Sequence, residues 1–567
     1  MGLKKHLVKL IAVLFVLVLA VSSVPYNAYA AKTITINLKV KSGQDIVTAF
    51  NNATIKAKDD KKGNIYKIVV PKGTYKAKNQ LKIWSNTILV LDGVTIKHTS
   101  GATTMFRLGH KSDWDKANKG KGYPGYTGYK NITIQGGVLD GGGYSQAIMR
   151  FGHTTNVRIE GTTFKNVKNA HHMEIGACKN FVIKNCTFSD FSGSWGATRN
   201  YEALQLEALA GDHFSAYNPN KDETPNQNIT IEGCTFNNLQ RALGTHTGIA
   251  NSYFTNIAIK NNTFTNVTGY AIVATNYKDS VISGNKFENC GAGISFRTME
   301  AGHNNFYASK YNSNAHDKYV GLNCTIEGNT ISIKTGYQAK YKNVAYGIQL
   351  YGEKLTKKKG NAPKGDFRVS GVTVKNNKVS MHVTGYGIWV NGGASNKITG
   401  NTVNFNARNK SAGTNCDGIR IDAGGYNSVT GNVITNYTTT GNLADSICGV
   451  TASNTYAPDV SGNRITNMKL DGVKLYKSNN GKITNNTVTG SSRDGLCVST
   501  LTNVTISGNK VNNGKRHGIN VKDSTKIKIT KNTIKNCKGN GINAKKNQLA
   551  SDSGNSISVK GKARSWR

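Results

Sequence analysis

An asparagine recurs at a fixed interval in the last part of the chain, and this interval constrains the fold more than any other feature. The marker occurs every 23 residues, at Asn463, Asn486, Asn509, Asn532 and Asn555. β-Branched residues alternate with polar ones between the markers, and no helical segment interrupts them. Such a period predicts an all-β solenoid, a single-stranded parallel β-helix in which each repeat forms one coil. Leucine-rich repeats share the period, but their Leu pattern is absent.

The same marker appears earlier in the chain with longer gaps, which indicate inserted loops. Its earlier positions are Asn262, Asn285, Asn329, Asn377, Asn401 and Asn432. Asn tolerates left-handed turn geometry, and its amide can stack as a ladder. We therefore expect a structural role for the marker. The inserted loops are expected near 192–200, 208–227, 299–320, 335–345 and 353–366.

Residues 1–30 have the pattern of a secretory signal: a basic start, the apolar run 10-LIAVLFVLVLAV-21 and the small-residue cleavage site 28-AYA-30. No second long apolar run exists, so no membrane span is expected after signal removal. We expect an extracellular, secreted protein. The expected division is a signal peptide at 1–30, an N-terminal cap with first coils at 31–100, and a parallel β-helix at 101–567.

The charge balance fits an anionic partner, and a solubilising surface is the alternative interpretation. The formal net charge is +42, and removal of the leader leaves 70 Lys and Arg against 31 Asp and Glu. A field of this sign attracts acidic polysaccharide or an anionic cell-wall polymer. A nucleic-acid partner is not expected, because no recognisable binding module is present. The nine Cys show no metal-binding spacing and fit small buried side chains.

The N-terminal segment carries a family resemblance. The segment 43–58 predicts a short capping helix, with Ser42 and Asp45 in a capping-box pattern. It is followed by 69-VVPKGTY-75 and 85-SNTILVLDGVTI-96. This order resembles the N-terminal cap and first coils of the pectate-lyase-like (pectin lyase fold) superfamily. The phrase 132-ITIQGGVLDGGG-143 is similar to early coils of polygalacturonases and their relatives. The resemblance implies a right-handed β-helix and carbohydrate chemistry.

Side chains alternate between inside and outside along each strand, so one coil fixes the register of the others. In 387-GIWVN-391 the pattern places Ile388 and Val390 inside and Trp389 outside. One outward column then comprises Glu174, Gln205, Gly244, Val273, Ser295, Gln349, Trp389, Arg420, Thr451, Lys474, Cys497, Asn520 and Asn543. The next comprises Gly176, Glu207, His246, Thr275, Arg297, Tyr351, Asn391, Asp422, Ser453, Tyr476, Ser499, Lys522 and Lys545.

Residues 169–248 form the candidate reactive patch. In this stretch His, Glu and Arg occupy positions that carry Gly, Asn, Ser or Lys in the other repeats. Four of the 12 His of the chain fall in this stretch. The candidate catalytic residues are Glu207, His246, Glu174, His172, Arg241 and Arg297. The candidate substrate-binding residues are Gln205, Tyr351, Trp389, Arg420, Lys474 and Tyr476. Cross-coil ion pairs of a purely structural kind are the alternative interpretation.

The patch fits more than one chemistry. A carboxylate beside an imidazole raises the pKa of the imidazole and orients its ring, as general acid–base catalysis requires. Two carboxylates can flank a glycosidic bond. Alternatively, Glu174, Glu202 and Glu207 hold Ca²⁺ and neutralise a uronate carboxylate, and a basic residue abstracts the adjacent proton. Calcium is the one cofactor that the sequence suggests.

One local similarity does not extend to its neighbours. The run 415-NCDGIRID-422 is similar to the NTDG segment of polygalacturonases, but 445-DSICGV-450 occupies the coil where that family has a paired Asp-Asp. We therefore interpret Asp417 and Asp422 as turn and groove residues.

Three functions follow as expectations. The first is a secreted polysaccharide lyase that cleaves an acidic polysaccharide by β-elimination. The second is an inverting glycoside hydrolase of the same fold. The third is a non-catalytic glycan-binding or cell-wall-associated β-helix protein.

Overall fold

The structure, a computed structural model, describes residues 32–193, 201–210, 222–299, 303–311, 318–334, 344–409, 416–438 and 447–566. The expected signal peptide lies outside the described residues, as do His213 and the loop segments 194–200, 211–221, 300–302, 312–317 and 335–343. Among the described residues, no helix is both long enough and apolar enough to cross a membrane.

The described strands form a parallel β-helix with three long sheets, here called sheets A, B and C. Sheet A contains the strands Thr33–Asn37, Ile65–Val69, Thr87–Val90, Tyr129–Gln135, Thr154–Glu160, Lys179–Lys184, Gln227–Glu232, Phe254–Lys260, Tyr277–Lys278, Val281–Ser283, Cys324–Glu327, Val372–Lys375, Lys397–Thr399, Ser428–Thr430, Asp459–Ser461, Lys482–Thr484, Thr505–Ser507, Ile527–Thr530 and Leu549–Ser553.

Sheet B follows sheet A in each coil. Its strands are Gly73–Ala77, Val94–His98, Val138–Asp140, Thr163–Lys168, Thr187–Ser192, Thr235–Leu239, Thr263–Val267, Lys286–Cys290, Thr330–Ile333, Lys378–Val383, Thr402–Asn409, Val433–Asn436, Arg464–Thr466, Thr487–Thr489, Lys510–Asn512, Thr533–Lys535 and Ser556–Ser558.

Sheet C completes the coil and carries the outward columns predicted from the sequence. Its strands are Leu81–Ile83, Phe106–Leu108, Met149–Gly152, Met173–Gly176, Glu202–Glu207, Arg241–Gly244, Tyr270–Thr275, Ala292–Arg297, Ala345–Tyr351, Val369–Ser370, Gly385–Ala394, Cys416–Gly425, Ile447–Ser453, Val473–Tyr476, Leu496–Ser499, Ile519–Lys522, Ile542–Ala544 and Arg564–Trp566. Two further small sheets pair Gly248–Ile249 with Phe306–Tyr307, and Glu353–Leu355 with Gly365–Phe367.

The register of sheet C confirms the first predicted column. Glu174 pairs with Gln205, which pairs with Gly244, and the same column continues coil by coil to Asn520 and Asn543. Alternation could fix this register because a one-residue slip would turn the apolar side chains outward.

The core runs along the inside of the solenoid. Ile388 and Val390 are fully buried there, as the alternation predicts. Within sheet B, five phenylalanines stack in register with ring centroids 4.8–5.0 Å apart, namely Phe164, Phe188, Phe236, Phe264 and Phe287. All nine Cys are buried and free, which agrees with the expectation that they are small buried side chains.

The marker Asn forms the amide ladder but does not occupy the left-handed position. The backbone N–H and Nδ2 of Asn463 both donate to Oδ1 of Asn486 at 2.9 Å, and Nδ2 also donates to the carbonyl of Val429 at 2.8 Å. The left-handed residue is the one before the marker, such as Gly462 (φ 65°) or Asn485 (φ 55°). The buried ladder therefore satisfies backbone groups at the turn between sheets A and B.

The N-terminal helix begins later than predicted. It spans Val47–Asp59 and buries Phe50 and Ala53 against the first coils. The expected capping box is absent: Asp45 accepts the backbone N–H of Val47, and Ser42 instead hydrogen-bonds Thr74 of sheet B. A second helix, Lys111–Lys116, is followed by the 3₁₀ turn Ala117–Gly120 and was not predicted. The remaining 3₁₀ turn is Lys546–Gln548.

Candidate functional site

The charged patch lies on sheet C in three consecutive strands, where the sequence analysis placed it. The strands Met173–Gly176, Glu202–Glu207 and Arg241–Gly244 are neighbours in the sheet. Stacked coils are about 4.8 Å apart, so side chains on adjacent coils are within contact distance. The patch comprises Glu174, Glu202, Gln205, Glu207, Arg241 and His246, all of which are buried.

Glu202 is the centre of the patch. Its Oε1 lies 3.2 Å from Nη1 of Arg241, and its Oε2 lies 3.1 Å from Nδ1 of His246. Burial by itself would raise the pKa of Glu202, but the charge and hydrogen bond of His246 and the charge of Arg241 hold it well below its usual range. Glu202 is therefore a fixed anion that positions two cations.

His246 lies between two carboxylates. Its Nε2 is 3.9 Å from Oε2 of Glu207, on the opposite side of the ring from Glu202. Burial by itself would lower the pKa of His246, but the charges of Glu202 and then Glu207 raise it to about 9. Gln205 Nε2 donates to the same Glu207 oxygen at 2.5 Å, and Ala208 N–H donates to the other at 2.8 Å. His246 is consequently a protonated imidazolium near neutral pH, suited to act as a general acid.

The predicted Glu174 forms an ion pair on the edge of the patch. Arg150, one coil earlier in register, binds Glu174 through Nε and Nη2. His171 Nε2 lies 3.8 Å from Glu174 Oε1, and its Nδ1 donates to the Glu202 backbone carbonyl at 2.6 Å. Its ring stacks parallel to that of His246, with centroids 6.2 Å apart. Arg150 and His171 thus belong to the patch, although the sequence analysis did not select them.

His172 was predicted to face the patch, and this prediction is wrong. Its side chain is fully buried inside the solenoid, where Nε2 hydrogen-bonds the carbonyl of Ser189 at 2.7 Å and the ring meets Phe188 edge-on. Burial lowers its pKa to about 4. The two histidines of 170-AHHMEIG-176 point to opposite sides because adjacent side chains alternate.

An arginine–tyrosine surface continues the patch along the solenoid. The guanidinium groups of Arg241 and Arg297 lie 5.1 and 5.2 Å from the ring centroid of Tyr270. Arg297 also donates from Nε to Ser295 Oγ at 2.6 Å. Tyr270 stacks on Tyr346 with centroids 6.0 Å apart. These rings belong to an apolar cluster separate from the core.

The predicted binding residues Trp389 and Arg420 extend this surface. Trp389 packs against Tyr386 with centroids 5.0 Å apart and donates from Nε1 to Asp422 at 2.9 Å. Arg420 bridges Asp417 and Asp422 at 2.9 and 2.6 Å. Burial raises the pKa of Asp417 despite that contact. These two Asp side chains therefore hold an arginine, which agrees with their interpretation as groove residues.

The other three predicted binding residues are less closely associated. Tyr351 contacts Glu353 at 3.5 Å, and Glu353 is held by His303 at 2.7 Å. Lys474 and Tyr476 are half-buried on later coils of the same face. Both Lys474 and Tyr476 lie on coils beyond Arg420 in the two outward columns, and neither belongs to the patch.

The proposed calcium ligands do not fit a cation site. Glu174 is paired with Arg150, Glu202 with Arg241 and His246, and Glu207 with neutral donors and the His246 imidazolium. Calcium binds through several converging oxygens, whereas these carboxylates are separated by cations. Among the described residues, the one acidic group with converging metal-ligand atoms is elsewhere, at Asp471, Asp494 and Cys497.

The fold and the sequence comparison define the class of protein as a parallel β-helix repeat protein. The family model for "Right handed beta helix region" matches residues 222–403 and 442–563, more than half of the chain. The chain belongs to this family, and its solenoid is a right-handed parallel β-helix of the pectate-lyase-like kind.

The chain is similar in sequence or in structure to several known proteins. Plasmin and fibronectin-binding protein A of Streptococcus pneumoniae is 26% identical over 280 residues, a match that spans 42% of this chain and 36% of that protein. The crystal structure of PfbA, a surface adhesin of S. pneumoniae, has a TM-score of 0.51 at 19% identity and covers 80% of this chain and 93% of its own. A tailspike protein of E. coli bacteriophage HK620, in complex with hexasaccharide, has a TM-score of 0.44 at 14% identity, covering 85% and 75%.

Proposed function

We propose that the protein is an extracellular enzyme that binds an acidic polysaccharide along sheet C and cleaves it by β-elimination at the Glu202–His246–Glu207 site. The observation that carries this proposal is the imidazolium held between two carboxylates on an outward face. Burying several charged groups outside the core costs solvation energy, and strongly perturbed pKa values of this kind cluster at functional sites.

The arginines beside the site fit the charge of the substrate. Arg241 and Arg297 flank Tyr270, and Arg420 lies over the Tyr386 ring at 5.5 Å. Guanidinium groups bind carboxylates with two parallel hydrogen bonds, and aromatic rings pack against the apolar faces of sugars. An acidic sugar chain would run along the coils from His246 towards Trp389.

The protonation states assign roles within the site. In β-elimination a base, here the Glu207 carboxylate, removes the proton next to the uronate carboxylate, and an acid protonates the departing glycosidic oxygen. His246 carries the proton for the second step, since Glu202 and Glu207 raise its pKa to about 9. Arg297 would neutralise the uronate carboxylate and so favour loss of the adjacent proton.

The test is a digest of a panel of acidic polysaccharides with the wild type, H246N and K477Q. Lys477 is an exposed residue on a later coil and serves as the control for a surface change. Elimination creates an unsaturated sugar that absorbs in the ultraviolet, whereas hydrolysis yields only new reducing ends. We expect unsaturated product from the wild type and K477Q and little from H246N. Equal product from H246N would remove the site from the mechanism.

A second function, glycan binding without cleavage, is favoured because the carboxylates of the patch already have partners. Each carboxylate of the patch already contacts a cation or hydrogen-bond donor. One similar pneumococcal protein is named for binding plasmin and fibronectin, and a similar pneumococcal structure is that of a surface adhesin, which agrees with an extracellular binding role. Binding of a polysaccharide by the wild type with no product of either kind would identify this function instead.

A further inference from the structure

The turns that lead from sheet B into sheet C carry a row of cations in the last coils. We call this row the basic edge, and it consists of Arg493, Lys515, Arg516, Lys538, Lys560 and Lys562. Residues 468–567 contain 20 Lys and Arg but 4 Asp and Glu, a net charge of +16 in 100 residues. Residues 32–467 carry +23 over more than four times that length.

Backbone hydrogen bonds stack these turns in register. Lys515 N–H donates to the carbonyl of Ser491, and Lys538 N–H donates to that of Gly514, both at 2.8 Å. Arg516 N–H donates to Arg493 at 3.1 Å. Successive cations therefore rise by about 4.8 Å per coil along the solenoid axis. The backbone hydrogen bonds therefore fix the spacing of these residues, whichever side chains they carry.

Two of the four acids of this region are buried beside these turns. Asp471 and Asp494 are fully buried, and each accepts the Nε and Nη2 groups of the arginine one coil later, Arg493 and Arg516. The arginine side chains remain 33% and 45% exposed. Each guanidinium is thus oriented by a buried carboxylate while one side still faces solvent.

The lysines of the edge lack this compensation. In the described residues 468–566, no lysine forms an ion pair with a carboxylate. Like charges at this separation repel by about 1 kcal/mol per pair even in bulk water. Binding of an anion with regularly spaced charges would relieve that repulsion, so the arrangement favours an extended anionic partner.

We infer that the basic edge binds one linear acidic polysaccharide along the solenoid axis, as an anchoring surface separate from the Glu202–His246–Glu207 site. A single row of cations matches a single row of carboxylates. The four turns, 490–495, 513–518, 536–541 and 559–563, contain no Phe, Tyr or Trp on which the bases of a single-stranded nucleic acid would stack. A DNA duplex presents two phosphate rows.

The edge lies in turns that lead into late strands of sheet C, and the site lies on early strands of the same sheet. From Gln205 to Cys497 the sheet C column takes nine coil steps, roughly 40 Å at about 4.8 Å per coil. The choice of polysaccharide rests on the proposed function, but binding at the edge does not require cleavage at the site.

The experiment compares two triple variants of the full chain, each in the H246N background so that the polymer stays intact. K515Q/K538Q/K560Q removes three charges from the edge. K482Q/K510Q/K528Q removes three exposed charges from sheets A and B and is the matched control. Affinity for fluorescein-labelled polygalacturonate is measured by anisotropy at several salt concentrations, with polyphosphate and duplex DNA as further probes.

We expect the edge triple to bind polygalacturonate at least fivefold more weakly than the control triple, with a smaller salt dependence. Equal weakening by both triples would show that net charge alone acts, and would overturn the inference. Tighter binding of polyphosphate or DNA than of polygalacturonate, lost in the same edge triple, would overturn the choice of partner. Neither result depends on whether the wild type cleaves any polysaccharide.

Discussion

The carboxylate of Glu202 is shared by the guanidinium of Arg241 and the imidazole of His246, at 3.2 and 3.1 Å. Glu202 and Arg241 are directly paired on adjacent strands of sheet C. The anion is completely buried, so its contacts are not weakened by solvent. This arrangement makes the protonation of His246 a property of the fold, and it links stability to the proposed chemistry.

Substitution of Glu202 by Gln should destabilise the protein strongly. The change leaves the buried Arg241 without its carboxylate and removes the main charge that keeps His246 protonated, and breaking a buried pair in this way costs about 3–5 kcal/mol. Urea unfolding followed by circular dichroism gives the difference. E160Q is the control, because the more exposed Glu160 pairs with Arg158 at the surface and should change stability by less than about 1 kcal/mol. Similar midpoints for E202Q and the wild type would contradict the assigned ion pair.

The raised pKa of His246 predicts a loss of stability at alkaline pH. A histidine whose pKa is raised in the folded state stabilises it fully below the unfolded value of 6.5, and this contribution disappears as the pH rises through about 9. The loss should amount to a few kcal/mol, at about 1.4 kcal/mol per pKa unit. Unfolding measured across this window should show the loss in the wild type and a flatter profile in H246N. Parallel profiles would place the titrating group elsewhere.

His172 predicts the opposite pH dependence. Burial lowers its pKa to about 4, so the unfolded chain takes up a proton on this residue before the folded chain does as the pH falls below 6.5. Stability should therefore decline between pH 6.5 and pH 4. H172Q keeps a donor for the Ser189 carbonyl but cannot titrate, and its acid decline should be shallower. The comparison uses thermal unfolding of both proteins, and an unchanged acid slope in H172Q would refute this assignment.

The asparagine ladder should carry a measurable part of the stability. N486A removes the acceptor of two donors of Asn463 and leaves the Val460 carbonyl without its amide partner. Each buried polar group left unpaired costs about 1–3 kcal/mol. N479A, at an exposed turn position, is the matched control. A urea midpoint for N486A close to that of N479A would mean that water replaces the amide.

The repeat was sufficient to predict the solenoid because a fixed interval and strand alternation both act locally. A 23-residue spacing from Asn463 to Asn555 leaves little choice of coil length, and the inward Ile and Val fix the register. The outward column from Glu174 to Asn543 followed from the same two facts. The capping of the N-terminal helix did not, because Ser42 finds a partner in Thr74, which is distant in sequence.

Within the site, the positions and the one-coil separation of Glu202 and Arg241 could be predicted, but the other side-chain contacts could not. The register brought Glu207 and His246 together, whereas the hydrogen bond between Glu202 and His246 did not follow from it. Arg150 was overlooked although it occupies the same column as Glu174, one coil earlier. Its spacing from Glu174, about one coil period, could have identified it from the sequence. The inward turn of His172 reflects alternation, which is ambiguous where two histidines are adjacent.

The last prediction concerns Trp389. A hydrogen bond holds one edge of its indole, and the side chain is partly exposed. Nε1 donates to Asp422, and Tyr386 packs against the ring. A preorganised aromatic surface loses little entropy on binding, so W389A should weaken polysaccharide binding by about tenfold, or about 1.4 kcal/mol. W389F keeps an aromatic face and should lose less. Titration calorimetry with polygalacturonate measures both, and W566A, which removes an exposed tryptophan at the far end of sheet C, is the control. If W389A and W566A bind equally well, the sugar chain does not pass over Trp389, and the path from His246 must leave sheet C before that coil.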